Sequence, residues 1–154
     1  MLTPLSTLSR RDAVKAAAWA LAAAAIAPKL AFADEKAVAA EIKKLYGDKP
    51  MTSGKIKLDV PEIAENGLVV PINIEIESPM TDADYVKAVH VFAEGNPLPG
   101  VVSYQFTPAC GKASAATRMR LAQTQDIICV AEMSNGTLHT AKANIKVTIG
   151  GCGG

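Results

Sequence analysis

The chain has 154 residues, with 16 Lys or Arg against 15 Asp or Glu, which gives a formal net charge of +1 at pH 7. Beyond the first 33 residues, 12 basic and 14 acidic residues remain, a net charge near −2. That part of the sequence contains no basic stripe and no dense Lys/Arg cluster. Such a charge distribution argues against nucleic-acid binding and against electrostatic attachment to a membrane.

The N-terminal segment has the order of an export signal. Ser9–Lys15 contains a twin-arginine motif, an apolar run of about twelve residues follows to Ala27, and Ala31–Ala33 forms a small-residue cleavage pattern. The run is too short for the ~20 residues that span a bilayer. Asp12 and Ala13 depart from the preferred twin-arginine pattern, so a general secretory route stays open. A retained amphipathic helix is the alternative reading.

We therefore expect residues 1–33 to be removed and the mature chain to begin near Asp34, in the periplasm. About 121 residues would remain, enough for a single domain with a modest core. We assign residues 34–149 to this domain and residues 150–154 to a C-terminal arm.

One helix and then a series of strands are predicted within that domain. Val38, Ile42 and Leu45 recur at helical spacing between Asp34 and Tyr46, and Gly47 ends the pattern. From residue 55 onward, apolar and polar residues alternate in short segments between turn residues. The predicted strands are Lys55–Val60, Ile72–Ile76, Tyr85–Ala93, Val101–Thr107, Arg118–Gln123, Ile127–Met133 and Thr140–Ile149.

Short strands separated by turn residues predict a mainly β protein. The expected fold is an immunoglobulin-like antiparallel β-sandwich of about seven strands with one N-terminal helix. Asn135-Gly136 is typical of a two-residue hairpin between the last two strands. Tyr85–Ala93 is apolar on both faces, as a central strand would be. Either a partner subunit or the N-terminal helix could cover its outer face, and the sequence leaves both open.

Three cysteines are an odd number for an oxidising compartment. Cys110 and Cys129 fall inside the domain, and the economical assignment is a disulfide between them that leaves Cys152 unpaired. Closing the loop of about 20 residues between these cysteines would stabilise the fold by roughly 3 kcal/mol. The alternative is that Cys129, in an apolar run, is a buried free thiol.

The last five residues place one thiol, Cys152, among four glycines: Gly150, Gly151, Gly153 and Gly154. Glycine has no Cβ and few conformational restrictions, so this sequence predicts a thin, flexible arm that presents the thiol to a narrow cleft. The final predicted strand runs directly into Gly150 and would fix the root of the arm. The alternative interpretation is a solvent-exposed C-terminal segment that has no function.

An exported domain of this size that ends in Gly-Gly-Cys-Gly-Gly resembles the SoxY family, the sulfur-carrier subunits of the periplasmic Sox thiosulfate-oxidising system. The resemblance extends over signal, helix, β-body and tail, and the tail is its most specific part. It implies that Cys152 is the covalent attachment point for thiosulfate-derived sulfur. Cys110 and Cys129 are not part of the motif that carries the resemblance.

The resemblance also implies a set of partners and a non-catalytic role. A c-type cytochrome would conjugate thiosulfate to Cys152, a hydrolase would release sulfate, and a sulfur dehydrogenase would oxidise the remaining sulfane. A second small β-sandwich subunit, similar to SoxZ, would form a heterodimer with this chain. The carrier itself would need no cofactor and no metal.

Other functions fit the residues less well. A ubiquitin-like carrier that uses its terminal carboxylate would need ATP and leaves Cys152 unexplained. A periplasmic immunoglobulin-like interaction module that dimerises through Cys152 remains the main alternative. For an enzyme or a metal site, His90 and His139 are the only histidines, and no cluster of other ligands lies near them in sequence.

Overall fold

The computed structural model describes residues 32–150, which belong to one compact unit. The predicted export signal up to residue 31 and residues 151–154 of the arm lie outside the described residues. The elements, in chain order, are α1 (Glu35–Tyr46), β1 (Met51–Ser53), β2 (Ile56–Asp59), β3 (Ile63–Ala64), β4 (Val70–Ile76), β5 (Val86–Ala93), β6 (Gly100–Gln105), a 3-10 turn (Pro108–Cys110), β7 (Ala113–Met119), β8 (Gln125–Met133) and β9 (Leu138–Val147).

Helix α1 begins within one residue of the predicted start and ends at Tyr46 as predicted, but Leu45 of the predicted apolar stripe is exposed and Tyr46 is buried in its place. Asp34 is its N-cap, and the Asp34 carboxylate accepts a hydrogen bond from the Ala37 N–H at 2.8 Å. Gly47 follows the helix with φ +71°, and its N–H donates to the Lys43 carbonyl at 2.8 Å. Within residues 32–150, no helix is long and apolar enough to cross a membrane.

The strands form two sheets, which confirms a mainly β, sandwich-type fold. The larger sheet has the order β1-β9-β8-β5-β6, with β3 also paired to β9, and the smaller sheet has the order β2-β4-β7. All pairs are antiparallel except two: β1 and β3 each run parallel to β9. These two strands, of three and two residues, are the ones that the sequence did not predict. Both are too short to produce an alternating pattern.

The main core lies between the sheets. On β4, Val70, Ile72, Ile74 and Ile76 are all buried, while the residues between them point outward. Burying side chains of this size stabilises the fold by roughly 1.5–3 kcal/mol each. The alternation on β4 therefore determines which face of this strand joins the core.

A second apolar cluster lies on the outer face of the larger sheet. Val38, Ile42 and Tyr46 of α1 pack there with Phe92 of β5 and Val130 of β8. Strand β5 is thus buried on both faces, as predicted, and the N-terminal helix supplies the second cover. Of the two coverings left open by the sequence, the helix is the one observed.

Two local predictions need correction. Strand β7 covers Ala113–Met119 rather than Arg118–Gln123, because a run of small residues pairs with β4 although its hydrophobic pattern is weak. The β8–β9 hairpin has three loop residues, not two. Met133 donates to the Thr137 carbonyl at 2.9 Å, and Gly136 takes φ +81°, as in a type I turn with a glycine bulge.

Candidate functional site

Strand β9 carries the chain to the predicted arm. It ends at Val147, and the described chain ends at Gly150. Cys152, the predicted attachment site, lies outside the described residues together with Gly151, Gly153 and Gly154. The part of the site that the structure defines is therefore the arm root, residues 146–150.

One side of the arm root is held by main-chain hydrogen bonds to the segment around β3. The Lys146 N–H donates to the Glu62 carbonyl at 2.9 Å, and the Thr148 N–H donates to the Ala64 carbonyl at 3.0 Å. The Gly67 N–H then donates to the Ile149 carbonyl at 2.7 Å. Because these bonds continue past the last strand residue, the backbone is fixed up to Ile149.

The other side of the arm root is held by the loop between β7 and β8. The Thr124 hydroxyl accepts from the Val147 N–H at 2.9 Å and donates to the Val147 carbonyl at 3.3 Å. A single side chain therefore satisfies both main-chain groups of Val147. The segment around β3 and the Thr124 side chain therefore hold the root from two sides.

Gly150 lies directly against this loop. A Cβ added at Gly150 would collide with the carbonyl oxygen of Ala122, which is a backbone atom that cannot rotate away. Glycine is required here for close approach of two backbones. Gly150 therefore packs as part of the root, although the sequence analysis assigned it to the arm.

The loop that receives Gly150 is itself held by a buried amide network. Gln125 is 5% exposed; its Nε2 donates to Asn96 Oδ1 and to the Gln123 carbonyl, each at 3.0 Å. Its Oε1 accepts from the Gly95 N–H at 2.7 Å. The Ala122 N–H also donates to Asn96 Oδ1, at 3.0 Å. Because these buried polar groups are paired, the network rigidifies the surface under the root.

Exposed apolar side chains lie in or next to the segments that bind the arm root. Ile63, Leu68, Val69 and Ile149 are 47–68% exposed, and we call them the root patch. Ile63 pairs with Lys146 across β3 and β9, and Gly67, next to Leu68, binds Ile149. The sequence analysis did not identify this surface, because the residues come together only in the folded chain.

Lys142 of β9 is paired with two carboxylates, Asp126 of β8 and Glu94, which follows β5. Lys142 Nζ lies 2.7 Å from Asp126 Oδ2 and 3.1 Å from Glu94 Oε1, and Asn144 Nδ2 donates to Asp126 Oδ1 at 2.6 Å. Hydrogen bonds from Lys142 and Asn144 lower the pKa of Asp126. Hydrogen bonds to Asp126 and Glu94 raise the pKa of Lys142.

The structure contradicts the predicted disulfide, since Cys110 and Cys129 are both free thiols. Cys129 lies in the middle of β8 between Val91 and Ala141, and its side chain is fully buried in the core. Burial raises the pKa of its thiol to about 12, which keeps it protonated and unreactive. Cys110 is exposed on the 3-10 turn, in an entirely different environment.

The two histidines lie apart in the fold. His90 is half-buried beneath α1, edge-on to the Tyr46 ring at 5.6 Å, and burial lowers its pKa. His139 Nδ1 lies 3.0 Å from the Thr52 hydroxyl. Within residues 32–150, no group of three or more His, Cys, Asp or Glu side chains is arranged to hold a metal ion.

A family model for sulfur oxidation protein SoxY matches residues 42–152, a range that extends from α1 to the tail cysteine. The chain belongs to the SoxY family. The structure is also similar to that of the sulfur carrier protein SoxY from Chlorobium limicola f thiosulfatophilum. The TM-score is 0.63 and the sequence identity 30%, over 74% of this chain and 98% of that one. None of the curated protein sequences matches this chain.

Solved superoxide reductases share the fold alone. The neelaredoxin from Ignicoccus hospitalis has a TM-score of 0.55 and 17% identity, over 77% of this chain and 95% of that one. A putative superoxide reductase from Thermotoga maritima has a TM-score of 0.53 and 19% identity, over 69% of this chain and 89% of that one. The sandwich is thus used in more than one protein family, and it carries no function by itself.

Proposed function

We propose that this SoxY-family protein is a periplasmic sulfur carrier that holds thiosulfate-derived sulfur on Cys152 and presents it to partner enzymes. The observation that carries the proposal is the family match, which continues through the arm root to Cys152. The similar structure of the sulfur carrier protein SoxY from Chlorobium limicola supports the same role. The chain would act as a covalent carrier rather than as an enzyme.

The proposed chemistry uses the thiolate of Cys152. Oxidative conjugation joins the thiolate sulfur to the sulfane sulfur of thiosulfate, giving Cys152–S–S–SO3⁻, and passes two electrons to a c-type cytochrome. Hydrolysis then adds water across the S–SO3⁻ bond, which releases sulfate and two protons and leaves a persulfide on the cysteine. A sulfur dehydrogenase would oxidise that persulfide sulfur, so every intermediate stays attached to one chain.

The fixed root and the glycines beyond it have complementary tasks in this proposal. The main-chain bonds of Lys146, Thr148 and Ile149 define where the arm starts. From Gly150 to Cys152 the chain can extend about 7 Å at ~3.3–3.6 Å per residue. Because residues 151, 153 and 154 have no side chains beyond hydrogen, a partner can enclose the arm in a narrow cleft.

The root patch supports a role in partner contact. Ile63, Leu68, Val69 and Ile149 expose apolar surface where the arm leaves the body. Enzymes that accept the arm must approach this point, and apolar residues at the centre of an interface contribute most of its stability. We assign the patch to contacts with arm-processing partners, and a SoxZ-like subunit would complete the carrier.

The test is the intact mass of the protein, purified without reductant from cells supplied with thiosulfate. We expect masses that correspond to added sulfur and sulfonate, which thiol reductants remove and which peptide mapping assigns to Cys152. Cys152→Ser should abolish both the adducts and thiosulfate oxidation. Cys110→Ser, which removes the other exposed thiol, should preserve both.

Two results would contradict the proposal. One is full thiosulfate oxidation by cells that carry Cys152→Ser. The other is a chain that is recovered only as a Cys152-linked disulfide dimer without sulfur adducts, as expected for an interaction module.

A further inference from the structure

Both arginines of residues 32–150 line the same groove. Arg118, near the end of β7, and Arg120, just after it, border a cavity of about 470 Å³. Its other walls include Leu98, Val101, Val102 and Met119, and most of the surface inside is apolar. We call this cavity, which lies between β6 and the end of β7, the arginine groove. An apolar wall with two guanidinium groups suits a ligand that is part sulfur or hydrocarbon and part anion.

The two arginines are not neutralised by carboxylates. Neither Arg118 nor Arg120 belongs to an ion pair among the residues that the structure describes. Glu94, which precedes the Asn96 loop of the groove, is instead bound by Lys142, which also binds Asp126. The positive charge of the groove is therefore left for another partner.

The arginine groove is connected to the arm root through one residue. Asn96, which lines the groove, donates from Nδ2 to the Arg120 carbonyl at 2.8 Å and accepts at Oδ1 from the Ala122 N–H at 3.0 Å. The Ala122 carbonyl is the group against which Gly150 packs. Arg120 is only two residues from Ala122, a separation of at most about 7 Å, and Cys152 can lie about 7 Å from Gly150. A group on Cys152 is thus within reach of the groove.

We propose that the arginine groove is a resting site for the loaded arm. In this proposal, which rests on the proposed carrier function, residues 151–154 fold back and place the thiosulfonate of Cys152 in the groove. The sulfonate oxygens would bind the guanidinium groups of Arg118 and Arg120, since arginine forms bidentate, charge-assisted hydrogen bonds to oxyanions. The sulfane sulfur would lie against Leu98 and Val101. In the groove, the thiosulfonate on Cys152 would be protected from reaction with small thiols while the carrier is not bound to a partner enzyme.

The experiment loads the arm chemically, so that it does not depend on partner proteins. The protein carries Cys110→Ser, because that exposed thiol would also react. Tetrathionate supplies the adduct: the Cys152 thiolate attacks an inner sulfur, the central S–S bond breaks, thiosulfate leaves and Cys152–S–S–SO3⁻ remains. The same protein treated with methyl methanethiosulfonate carries a neutral methyl disulfide and retains the terminal carboxylate, as a matched control.

Two readouts test the site. Amide NMR signals of Asn96, Leu98, Gly100 and Val101 and of residues 117–120 should shift on loading with thiosulfonate but not with the methyl disulfide. Reductive release of the thiosulfonate by a neutral phosphine should be about threefold to tenfold faster in Arg118→Gln/Arg120→Gln, as expected when two exposed ion pairs are lost. Lys57→Gln/Lys112→Gln, which removes the same charge around another cavity, should leave the release rate unchanged.

Several outcomes would overturn the resting site while the carrier function stands. They are equal shifts for the thiosulfonate and the methyl disulfide, unchanged release in the arginine variant, and an equal effect in the lysine variant. The arginine substitutions could instead change the amide signals of the groove residues only before Cys152 is loaded. That result would mean that the terminal carboxylate, and not the thiosulfonate, occupies the groove. Failure of the carrier function would appear separately, as Cys152 without adducts in cells.

Discussion

The two ends of β9 are held in place by different means. At its beginning, Leu138 pairs with the short parallel strand β1 and is buried beneath α1, with 2% of its surface exposed. At its end, Lys146 and Val147 pair with the short parallel strand β3, but Ile149 is 68% exposed. Both ends are strand-paired, but the first is also fixed by buried side-chain packing, whereas the second depends on main-chain hydrogen bonds, the Thr124 side chain and the partly buried Val147.

This difference shows how a chain can fix the position of a segment without burying it. Main-chain bonds use groups that every residue has, so the side chains around the arm root stay available for partners. Packing would have fixed the root equally well, but it would have hidden the root patch. A proposed carrier needs both a defined arm position and an accessible surface at the same place.

The largest expected effect comes from truncating the packed end. Leu138→Ala should lower the free energy of unfolding by about 3 kcal/mol, because it removes buried methyl groups and leaves a cavity under α1. The matched change Ile149→Ala at the exposed end should alter stability by less than about 0.5 kcal/mol. Urea denaturation of both variants measures the difference. Equal losses would mean that the two ends are held alike.

A smaller effect is expected from removing the amide network under the root. Gln125→Leu leaves the buried Gly95 N–H without its partner and removes one of the two hydrogen bonds to Asn96 Oδ1, so we expect a loss of about 2 kcal/mol. Gln123→Leu, at an exposed neighbouring position, should cost less than about 0.5 kcal/mol. Thermal unfolding of the two variants provides the measurement. A Gln125 variant as stable as the Gln123 control would rule out a supporting role for the network.

The smallest stability effect, but a specific local one, is expected at Gly150. Gly150→Ala pushes the backbone away from the Ala122 carbonyl and should cost about 1 kcal/mol or less, since only the last residues must move. Exchange of the Gly67 amide proton, which bonds the Ile149 carbonyl, should accelerate. Gly100→Ala, where a Cβ meets nothing within 4 Å, is the control. Unchanged exchange at Gly67 would show that Gly150 does not set the root.

Features encoded within a short stretch of sequence could be predicted. Helix α1 follows from its apolar spacing, the Asp34 cap and Gly47, and β4 follows from strict alternation. The tail motif identified the family because its residues are contiguous. In each case the physical cause lies within about a dozen residues, which a sequence displays directly.

The remaining features depend on residues that are distant in sequence. Strands β1 and β3 exist only because β9 lies beside them, and the contact between Gly150 and Ala122 requires the completed sandwich. The disulfide prediction was wrong because counting cysteines does not show which way each side chain faces. Cys129 points into the core, whereas Cys110 lies on a surface turn.

The pairing of β9 also has a consequence for the order in which the protein folds. Its partners β1 and β3 lie in the first half of the described residues, whereas β9 is the last strand of the sandwich. Such long-range pairings form late, because the intervening chain must close before they contribute stability. The sandwich is therefore completed only when β9 joins it, and the arm root takes its fixed position in that last step.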